Sequence, residues 1–331
     1  MNLNRKKSIS RRKFLRLLGI AGTGATLAAC RPSILPSPAS STETQTPLPT
    51  IEPPAQSAAT QAGQAYLAVA RGEDPAEITR RAIAALGGME RFVKKGANVI
   101  IKPNICTDYH TYEYAATTNP EVVACVVSLC LMAGAKRVRV MDNPFGGTAE
   151  SAYQKSGIGD AVTAAGGQME VMNAAKFAMV PIPEGRDIKQ WDVYQEILDA
   201  DTFIDVPIAK HHGEARLTLA CKNLMGTTRS RSPMHSNLHQ RIADLTSLIR
   251  PDLTIVDAYR ILIQHGPTGG NLNDVKLTKT VIASHDIVAA DAYACTLFGL
   301  TANDIPYVKI AADMGLGNKD LTSLKIEELV V

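Results

Sequence analysis

The feature that most constrains this 331-residue chain is the alternation of short apolar runs with longer helical segments. Asp74-Pro75-Ala76-Glu77 supplies an N-cap, a proline at the first helical position and a capping-box acid. Asn98–Lys102 is an apolar run of strand length that Pro103 interrupts. The alternation predicts an α/β fold with a mostly parallel sheet flanked by helices on both faces, of the three-layer, doubly wound type.

The same alternation continues to the end of the chain. Asn119-Pro120-Glu121 starts a second helix, which Gly134 ends. Further strands are expected at 136–141, 169–172, 202–206, 253–257 and 280–284, and further helices at 149–165, 217–225, 237–249, 286–297 and 304–314. Residues 64–331 are numerous enough for one such domain, and we expect a single α/β domain there.

The N-terminus has the pattern of an export signal. Arg11 and Arg12 precede an apolar run too short to span a bilayer core comfortably, and the run ends in Leu27-Ala28-Ala29-Cys30. This ending resembles a bacterial lipobox. The two adjacent arginines indicate export by the twin-arginine translocase, and the lipobox resemblance implies removal of residues 1–29 and acylation of the Cys30 sulfur. The protein is then expected on the outer face of the cytoplasmic membrane, or as a periplasmic lipoprotein; the alternative is an uncleaved N-terminal anchor.

Composition limits the partners of the remaining chain. Residues 30–63 are rich in Pro, Ser and Thr and predict a disordered, lipid-anchored linker. Seven basic residues and no acid lie in 1–29, so removing that segment changes the formal charge from +3 to −4. A slightly acidic body without clustered basic residues predicts no nucleic-acid partner.

The five cysteines beyond Cys30 show no metal or cluster spacing. No CxxC pattern occurs, which argues against an iron–sulfur or zinc site. Buried thiols are the favoured interpretation, with disulfide pairing left open among Cys106, Cys125, Cys130, Cys221 and Cys295. The glycine-rich loop at 265–270 matches neither nucleotide fingerprint, so no nucleotide cofactor is predicted.

Polar residues follow the carboxyl end of almost every predicted strand. The clusters are Lys102-Pro103-Asn104, Asp142-Asn143-Pro144, Pro207 to His212, Asp257 and Ser284-His285-Asp286. In open α/β sheets the carboxyl ends of the strands form the ligand crevice. Together the clusters predict a polar cleft at one edge of the sheet, although any single cluster could equally be an ordinary turn.

The segment Lys210-His211-His212 is the sharpest of these clusters. Neighbouring side chains in an extended segment point in opposite directions, so at most one histidine should face the cleft. Neutral imidazole is a common metal ligand and proton carrier. A lysine beside it could bind an anion or lower the pKa of the imidazole. Two surface histidines in a loop are the alternative.

Three further positions could contribute to the cleft. Lys222 and Asn223 precede Gly226, and could contact a ligand or simply form the end of a helix. One of His235 and His239 could join the cleft, but Pro233 disfavours a helical two-histidine metal motif. Asp291 lies in an otherwise apolar helix, where a buried carboxylate needs a cationic or metal partner.

Several of these motifs, in this order, resemble the family catalogued as domain of unknown function 362. They are Lys102-Pro103-Asn104, Asn119-Pro120-Glu121, Gly134-Ala135 before Asp142-x-Pro144, Pro207-x-x-Lys210-x-His212, Lys222-Asn223-x-x-Gly226, Pro251-x-Leu253-x-Ile255-Val256-Asp257, Gly266-Pro267 with Gly269 or Gly270, and Ala283-Ser284-x-Asp286 leading to Asp291. The resemblance covers about residues 95–300 and identifies His212 as the shared imidazole, since relatives usually have threonine at position 211. Many relatives carry an added four-cysteine segment, which implies redox work; this sequence has none.

The predicted function is an exported enzyme that binds a small anionic molecule, with metal or redox assistance left open. In this hypothesis Lys102, Lys210 and Lys222 hold the anion and His212 is an acid/base or a metal ligand. The ligand-binding set is Asn104, Asn223, Asp142 and His211, and the metal set is His212, Asp142, Asp257 and Asp291. The alternatives are a lipoprotein that captures a solute or metal, or an accessory subunit that docks on a redox partner protein.

Overall fold

The computed structural model describes residues 65–331. The predicted export signal with Arg11 and Arg12, the lipidation site Cys30 and the whole predicted linker at 30–63 lie outside the described residues. Within 65–331, no helix has both the length and the apolar character needed to cross a bilayer. The five cysteines of this region are buried, as the sequence predicted, and within residues 65–331 they are free thiols.

A large mixed sheet forms the centre of the fold. Its strands are β1 (Leu67–Arg71), β2 (Asn98–Pro103), β3 (Arg137–Val140), β4 (Gln168–Met169), β7 (Thr202–Val206), β8 (Ile208–His212), β9 (Arg216–Thr218), β10 (Leu253–Leu262), β11 (Val275–Ser284) and β12 (Ile326–Val330), with β5 (Phe177–Pro181) and β6 (Gln190–Tyr194) forming a separate hairpin. The strand order is β12-β1-β11-β10-β7-β2-β3-β4, and only β11 and β9 pair antiparallel to their neighbours. The predicted mostly parallel α/β fold is confirmed.

Helices cover both faces of the sheet because alternate strand residues are apolar on both sides. The helices are α1 (Pro75–Ala85), α2 (Pro120–Met132), α3 (Ala149–Lys155), α4 (Ile158–Ala164), α5 (Gln195–Leu198), α6 (Ala220–Asn223), α7 (Leu238–Leu248), α8 (Ile287–Thr296) and α9 (Pro306–Asp313). In β2, Val99 and Ile101 belong to the core beneath α1 and α2, whereas Ile100 belongs to the core beneath α7 and α8. Both faces of β2 are therefore buried, as the sequence pattern predicted.

A further strand, β8, begins almost directly after β7. Pro207 separates β7 from β8, and β8 then pairs with the far half of β10 and with β9. Because Pro has no amide hydrogen, the ladder cannot continue unchanged through this position. The shift carries Lys210 and His212 beyond the end of β7, on the same edge of the sheet as the end of β2.

Two of the predicted polar clusters do not reach this edge. The predicted strand 253–257 continues to Leu262, so Asp257 lies within β10 rather than at its end. Its carboxylate accepts hydrogen bonds from the backbone amides of Asn119 (2.7 Å) and Tyr259 (3.0 Å). Ser284 pairs with Thr254 because β11 runs antiparallel to β10, so the cluster Ser284–Asp286 lies at the opposite edge. The prediction that five strand ends converge was therefore wrong for these two.

The segment predicted as a helix at 217–225 is shorter in the structure. Leu217 and Thr218 belong to β9, and α6 spans only Ala220–Asn223 before a 3₁₀ turn. Asp291, on α8, holds the start of α6: its carboxylate accepts hydrogen bonds from the amides of Ala220 (2.7 Å) and Cys221 (3.0 Å). The buried carboxylate thus fixes the helix that carries Lys222, and its partners are backbone amides rather than a metal or a cation.

We predict that Asp291 makes stability fall as the pH rises. Burial raises its pKa to about 7, against the lowering effect of the two amide hydrogen bonds. Between pH 5 and 7 the folded chain keeps a proton that the unfolded chain has lost, so folding is favoured most at the acidic end. Over this range wild type should lose about 2 kcal/mol more unfolding free energy than Asp291→Asn. Denaturant titrations at both pH values measure this, and equal losses in the two proteins would contradict the assignment.

Candidate functional site

A cavity of about 440 Å³ lies at the carboxyl ends of β2, β3 and β8. Four cationic side chains line it, together with two histidines, two acids and a thiol. The residues of the wall are Lys102, Asn104, Cys106, Asp142, Asn143, Phe145, Lys210, His212, Glu214, Thr218, Lys222, Asn223, Met225, Gly226, Arg231, Ser232, His235 and Pro267. The structure therefore brings together most of the residues that the sequence singled out for a cleft.

Lys102 forms a buried ion pair at the floor of the cavity. Its ammonium lies 2.8 Å from Asp142 Oδ1 and donates hydrogen bonds to Asn223 Oδ1 and to the carbonyl oxygen of Pro103, both at 3.0 Å. An ammonium has three N–H groups, and these three partners occupy all of them. Asp142 also accepts from the amides of Ile105 (2.6 Å) and Asn143 (2.8 Å). Both charges are thus compensated inside the protein.

Lys210 is also saturated, but mainly by neutral groups. Its ammonium donates to the carbonyl oxygen of Ala116 (2.5 Å), to Asn104 Oδ1 (2.9 Å) and to Cys106 Sγ (3.4 Å). Burial lowers the pKa of Lys210, which is fully enclosed. With all three N–H groups engaged, this lysine positions its neighbours and adds positive charge to the cavity wall.

Two asparagines connect the two lysines. Asn104 donates from Nδ2 to Asn223 Oδ1 at 2.9 Å, and Asn223 donates from Nδ2 to Asp205 Oδ1 at 2.7 Å. The second oxygen of Asp205 is buried without a hydrogen-bond partner, and burial raises the pKa of this carboxyl well above its ordinary value. The sequence analysis did not identify Asp205, because it lies inside an apolar strand. The amides of Asn104 and Asn223 are committed to this network.

His212 is buried in the cavity wall, and backbone amides determine which of its two ring nitrogens carries the proton. Nδ1 accepts hydrogen bonds from the amides of Glu214 and Ala215, both at 3.2 Å. A ring nitrogen that accepts cannot carry the proton, so in neutral His212 the proton is on Nε2. Burial, followed by the nearby charges of Lys222 and Lys210, lowers the pKa to about 3. His212 is therefore a neutral hydrogen-bond donor near neutral pH.

This geometry argues against the predicted roles of His212 as a metal ligand and as an acid/base. A metal on Nε2 would displace its proton while Nδ1 already receives two amide hydrogens, and an imidazole of so low a pKa does not take up a proton at neutral pH. Neutral imidazole can instead donate from Nε2 to a carbonyl or carboxylate oxygen, as a polarising group.

Lys222, on α6, differs from the other two lysines. No hydrogen bond or ion pair joins its side-chain nitrogen to any other residue in the described part of the chain, although the nitrogen borders the cavity. Burial lowers its pKa to about 7, assisted by the positive charges of Lys210 and Arg231. Near neutral pH, Lys222 is present both as ammonium and as free amine.

Arg231 is a cavity residue that the sequence analysis missed. Its Nε donates to the carbonyl oxygen of Met225 at 3.1 Å, whereas Nη2 is buried and has no partner among residues 65–331. The hydroxyl of Thr218, in the same wall, also lacks a partner there. Buried polar groups normally have partners, so two residues of the wall each carry a polar atom whose hydrogen bond is unmet within residues 65–331. The sequence signal was weak, a serine- and arginine-rich loop before Pro233.

The acids of the cavity do not neutralise these cations. Asp142 is paired with Lys102, and Glu214 accepts a hydrogen bond from His235 Nδ1 at 2.7 Å, which lowers the pKa of Glu214. Of the two histidines left open by the sequence, His235 borders the cavity, whereas His239 stacks on Tyr307. Lys210, Lys222 and Arg231 remain without carboxylate partners, so the cavity carries an excess of positive charge that favours an anion.

The predicted metal set is not assembled. His212 and Asp142 border the cavity, but Asp257 and Asp291 do not, because backbone amides bind their carboxylates elsewhere in the fold. Across residues 65–331 no group of three or more His, Cys, Asp or Glu side chains is arranged to hold a metal ion. The alternative of a metal site built from these four residues was therefore wrong.

His211 faces away from the cavity, as the alternation of an extended segment requires. Its Nδ1 accepts a hydrogen bond from the amide of Gly266 at 3.1 Å. His211 therefore anchors the loop that places Pro267 in the cavity wall, and the structure does not bring it into the candidate ligand-binding set.

Comparison with known proteins gives a family model and distant relatives. The model described as "Domain of unknown function (DUF362)" matches residues 99–296. A thylakoid-associated protein of Synechocystis sp. is 27% identical over 252 residues, which cover 72% of this chain and 74% of that protein. Among solved structures, the lactate racemase apoprotein of Thermoanaerobacterium thermosaccharolyticum is 12% identical with a TM-score of 0.42, and the match covers 74% of this chain and 58% of that one. A Thermotoga maritima protein is 12% identical with a TM-score of 0.39, covering 69% and 60%.

We predict that Gly226→Ala disrupts the floor of the cavity. A Cβ atom at this position would overlap Asp142 Oδ1 and would lie 2.6 Å from Lys102 Nζ, so the ion pair must separate. Overpacking of this kind costs about 1–3 kcal/mol. Gly213→Ala is the matched control, because its added Cβ meets no atom within 4 Å. Denaturant unfolding of both variants measures the difference, and equal stability of the two would contradict a rigid ion pair.

Proposed function

The chain belongs to the Domain of unknown function (DUF362) family, and we propose that this member is an enzyme that acts on a small anionic molecule bound in the cavity. The observation that carries the proposal is the contrast among the cationic side chains. Lys102 and Lys210 are saturated by protein acceptors, whereas the Lys222 nitrogen and Arg231 Nη2, on two other residues of the same cavity wall, have no acceptor within residues 65–331. The two unsaturated groups are the ones that would bind the anion.

The donors suit a carboxylate best. Arg231 offers a planar guanidinium, which matches the two oxygens of a carboxylate. His212 offers a neutral N–H from Nε2, and the unpartnered hydroxyl of Thr218 lies in the same wall. A cavity of about 440 Å³ accommodates a small molecule rather than a polymer.

The pKa of Lys222 favours catalysis over simple capture. A site that only captured an anion would gain most from a lysine that keeps its full positive charge. Burial and neighbouring cations instead lower the pKa of Lys222 to about 7, where it can accept and release a proton. Such perturbed groups in a cleft are typical of catalytic acids, bases and nucleophiles.

We predict that Arg231→Gln weakens anion binding by about 10- to 100-fold. This loss of affinity corresponds to the removal of one hydrogen bond from a charged donor, which contributes about 1.5–3 kcal/mol to the binding free energy. Oxalate, pyruvate and inorganic phosphate are the probes, with dissociation constants measured by calorimetry and thermal shift. Arg81→Gln removes the same charge from an exposed position and serves as the control. If no probe stabilises wild type, or if both variants bind like wild type, the proposed anion site is wrong.

We further propose that the enzyme works outside the cytoplasm, on a lipid anchor at Cys30. Arg11, Arg12 and the run ending at Cys30 support this, and the name of the Synechocystis relative describes that protein as thylakoid-associated. The translocase is the transport partner in this proposal, and the linker at 30–63 separates the domain from the bilayer.

The prediction for export uses two variants in a bacterium that has the twin-arginine pathway. Labelled palmitate should enter wild type but not Cys30→Ala, because only the Cys30 sulfur would be acylated. The double substitution Arg11→Lys and Arg12→Lys should leave the folded protein in the cytoplasm. Cell fractionation and fatty-acid labelling measure these outcomes. Labelling of Cys30→Ala, or normal export of the double variant, would contradict the anchor or the route respectively.

A further inference from the structure

We infer that the side-chain nitrogen of Lys222 forms a covalent imine with a small 2-oxo acid in this cavity. The inference rests on the proposed anion site and specifies its substrate class and chemistry. Its basis is geometric: one small cavity is lined by Lys222 and Arg231, each with a side-chain nitrogen that has no acceptor within residues 65–331, and by His212, whose neutral ring is a hydrogen-bond donor.

The other two lysines of the cavity cannot supply the nucleophile. A nucleophilic nitrogen needs a lone pair, and therefore a lost proton. All three N–H groups of Lys102 and of Lys210 donate to protein acceptors, so neither nitrogen has a free direction in which to present a lone pair to a substrate. Lys222 has no such acceptor in the described part of the chain, so losing its proton breaks no hydrogen bond.

The surroundings of Lys222 favour the amine. Burial is the largest cause of its lowered pKa, and the nearby Lys210 and Arg231 add like-charge repulsion. Desolvation and a neighbouring cation are the two devices that activate lysines for attack on carbonyl compounds. With a pKa of about 7, a substantial fraction of Lys222 is the free amine at neutral pH.

A 2-oxo acid matches the remaining donors. Its carboxylate would bind the guanidinium of Arg231, and its ketone oxygen would accept the hydrogen bond from His212 Nε2. The proton of His212 is fixed on Nε2 because Nδ1 already accepts two backbone hydrogen bonds. A neutral donor polarises the ketone and adds no positive charge to the cavity. A positively charged donor in its place would lower the pKa of Lys222 further. An anion that has no ketone group would offer the His212 N–H only an oxygen of its acid group.

The reaction balances without an oxidant or reductant. The lone pair of the Lys222 nitrogen forms a bond to the carbonyl carbon, and the C–O π pair moves to oxygen. A proton passes from the new ammonium to that oxygen and gives the carbinolamine. After a second protonation the oxygen leaves as water, and the nitrogen is left as a protonated imine. The positive imine nitrogen then withdraws electrons from the bond to the adjacent carbon, as amine catalysis of carbonyl compounds requires.

Borohydride trapping tests the inference on the purified full-length chain. Pyruvate is the probe: reduction of the imine would leave one secondary amine adduct per chain, located at Lys222 by peptide mass spectrometry. Trapping should increase as the pH rises through about 7 from the acid side, because the deprotonated amine is the attacking form. Lys222→Arg should lose the adduct, whereas Lys276→Arg, at an exposed position, should keep it.

A second measurement requires no variant. Trace labelling of wild type with acetic anhydride should modify Lys222 with a pH midpoint near 7, and oxalate should protect it. An adduct at other lysines only, or an unchanged adduct yield in Lys222→Arg, would overturn the inference. If oxalate still binds but no adduct forms, the imine is wrong and the proposed anion-binding enzyme stands. If oxalate does not bind either, both proposals fail.

Discussion

The buried ion pair between Lys102 and Asp142 is the interaction on which the candidate site depends. It joins the end of β2 to the end of β3, and through Asn223 it also fixes α6. Burying two charges is costly unless their geometry and hydrogen bonds compensate for the lost hydration. Here every N–H of Lys102 has an acceptor, and Asp142 receives two further backbone amides. The pair therefore contributes position rather than reactivity, and it forms a rigid floor for the less constrained groups above it.

The cationic groups of the cavity divide into two functional classes on this floor. Lys102 and Lys210 are fully hydrogen-bonded, and their fixed positive charges contribute to the field in the cavity. Lys222 and Arg231 experience that field without acceptors of their own. Fixed charges favour an incoming anion, and the same charges make Lys222 give up its proton more easily. In the proposed function, one arrangement thus serves binding and reactivity together, and this accounts for several lysines in a small space.

The sequence predicted the fold and part of this site because strand ends in a parallel sheet converge. Lys102 lies near the carboxyl end of β2, Asp142 follows β3 and Lys210 lies beyond the end of β7, and the three do share one edge. The same reasoning failed for Asp257 and for the cluster at 284–286, since strand direction and length depend on pairing that no local pattern records. Arg231 was missed for a related reason: its loop reaches the cavity only through tertiary packing, and the sequence shows no more than a polar turn before Pro233.

His212 shows why residue type alone does not fix chemistry. An imidazole beside a lysine fits a metal ligand, a base or a hydrogen-bond donor equally well from the sequence. The backbone amides of Glu214 and Ala215 decide between them, because both donate to Nδ1 and thereby place the proton on Nε2. A neutral donor in the wall of a cavity rich in cationic side chains favours the polarisation of a carbonyl oxygen over metal binding. The turn that follows β8, rather than the histidine itself, therefore determines which reaction the cavity can support.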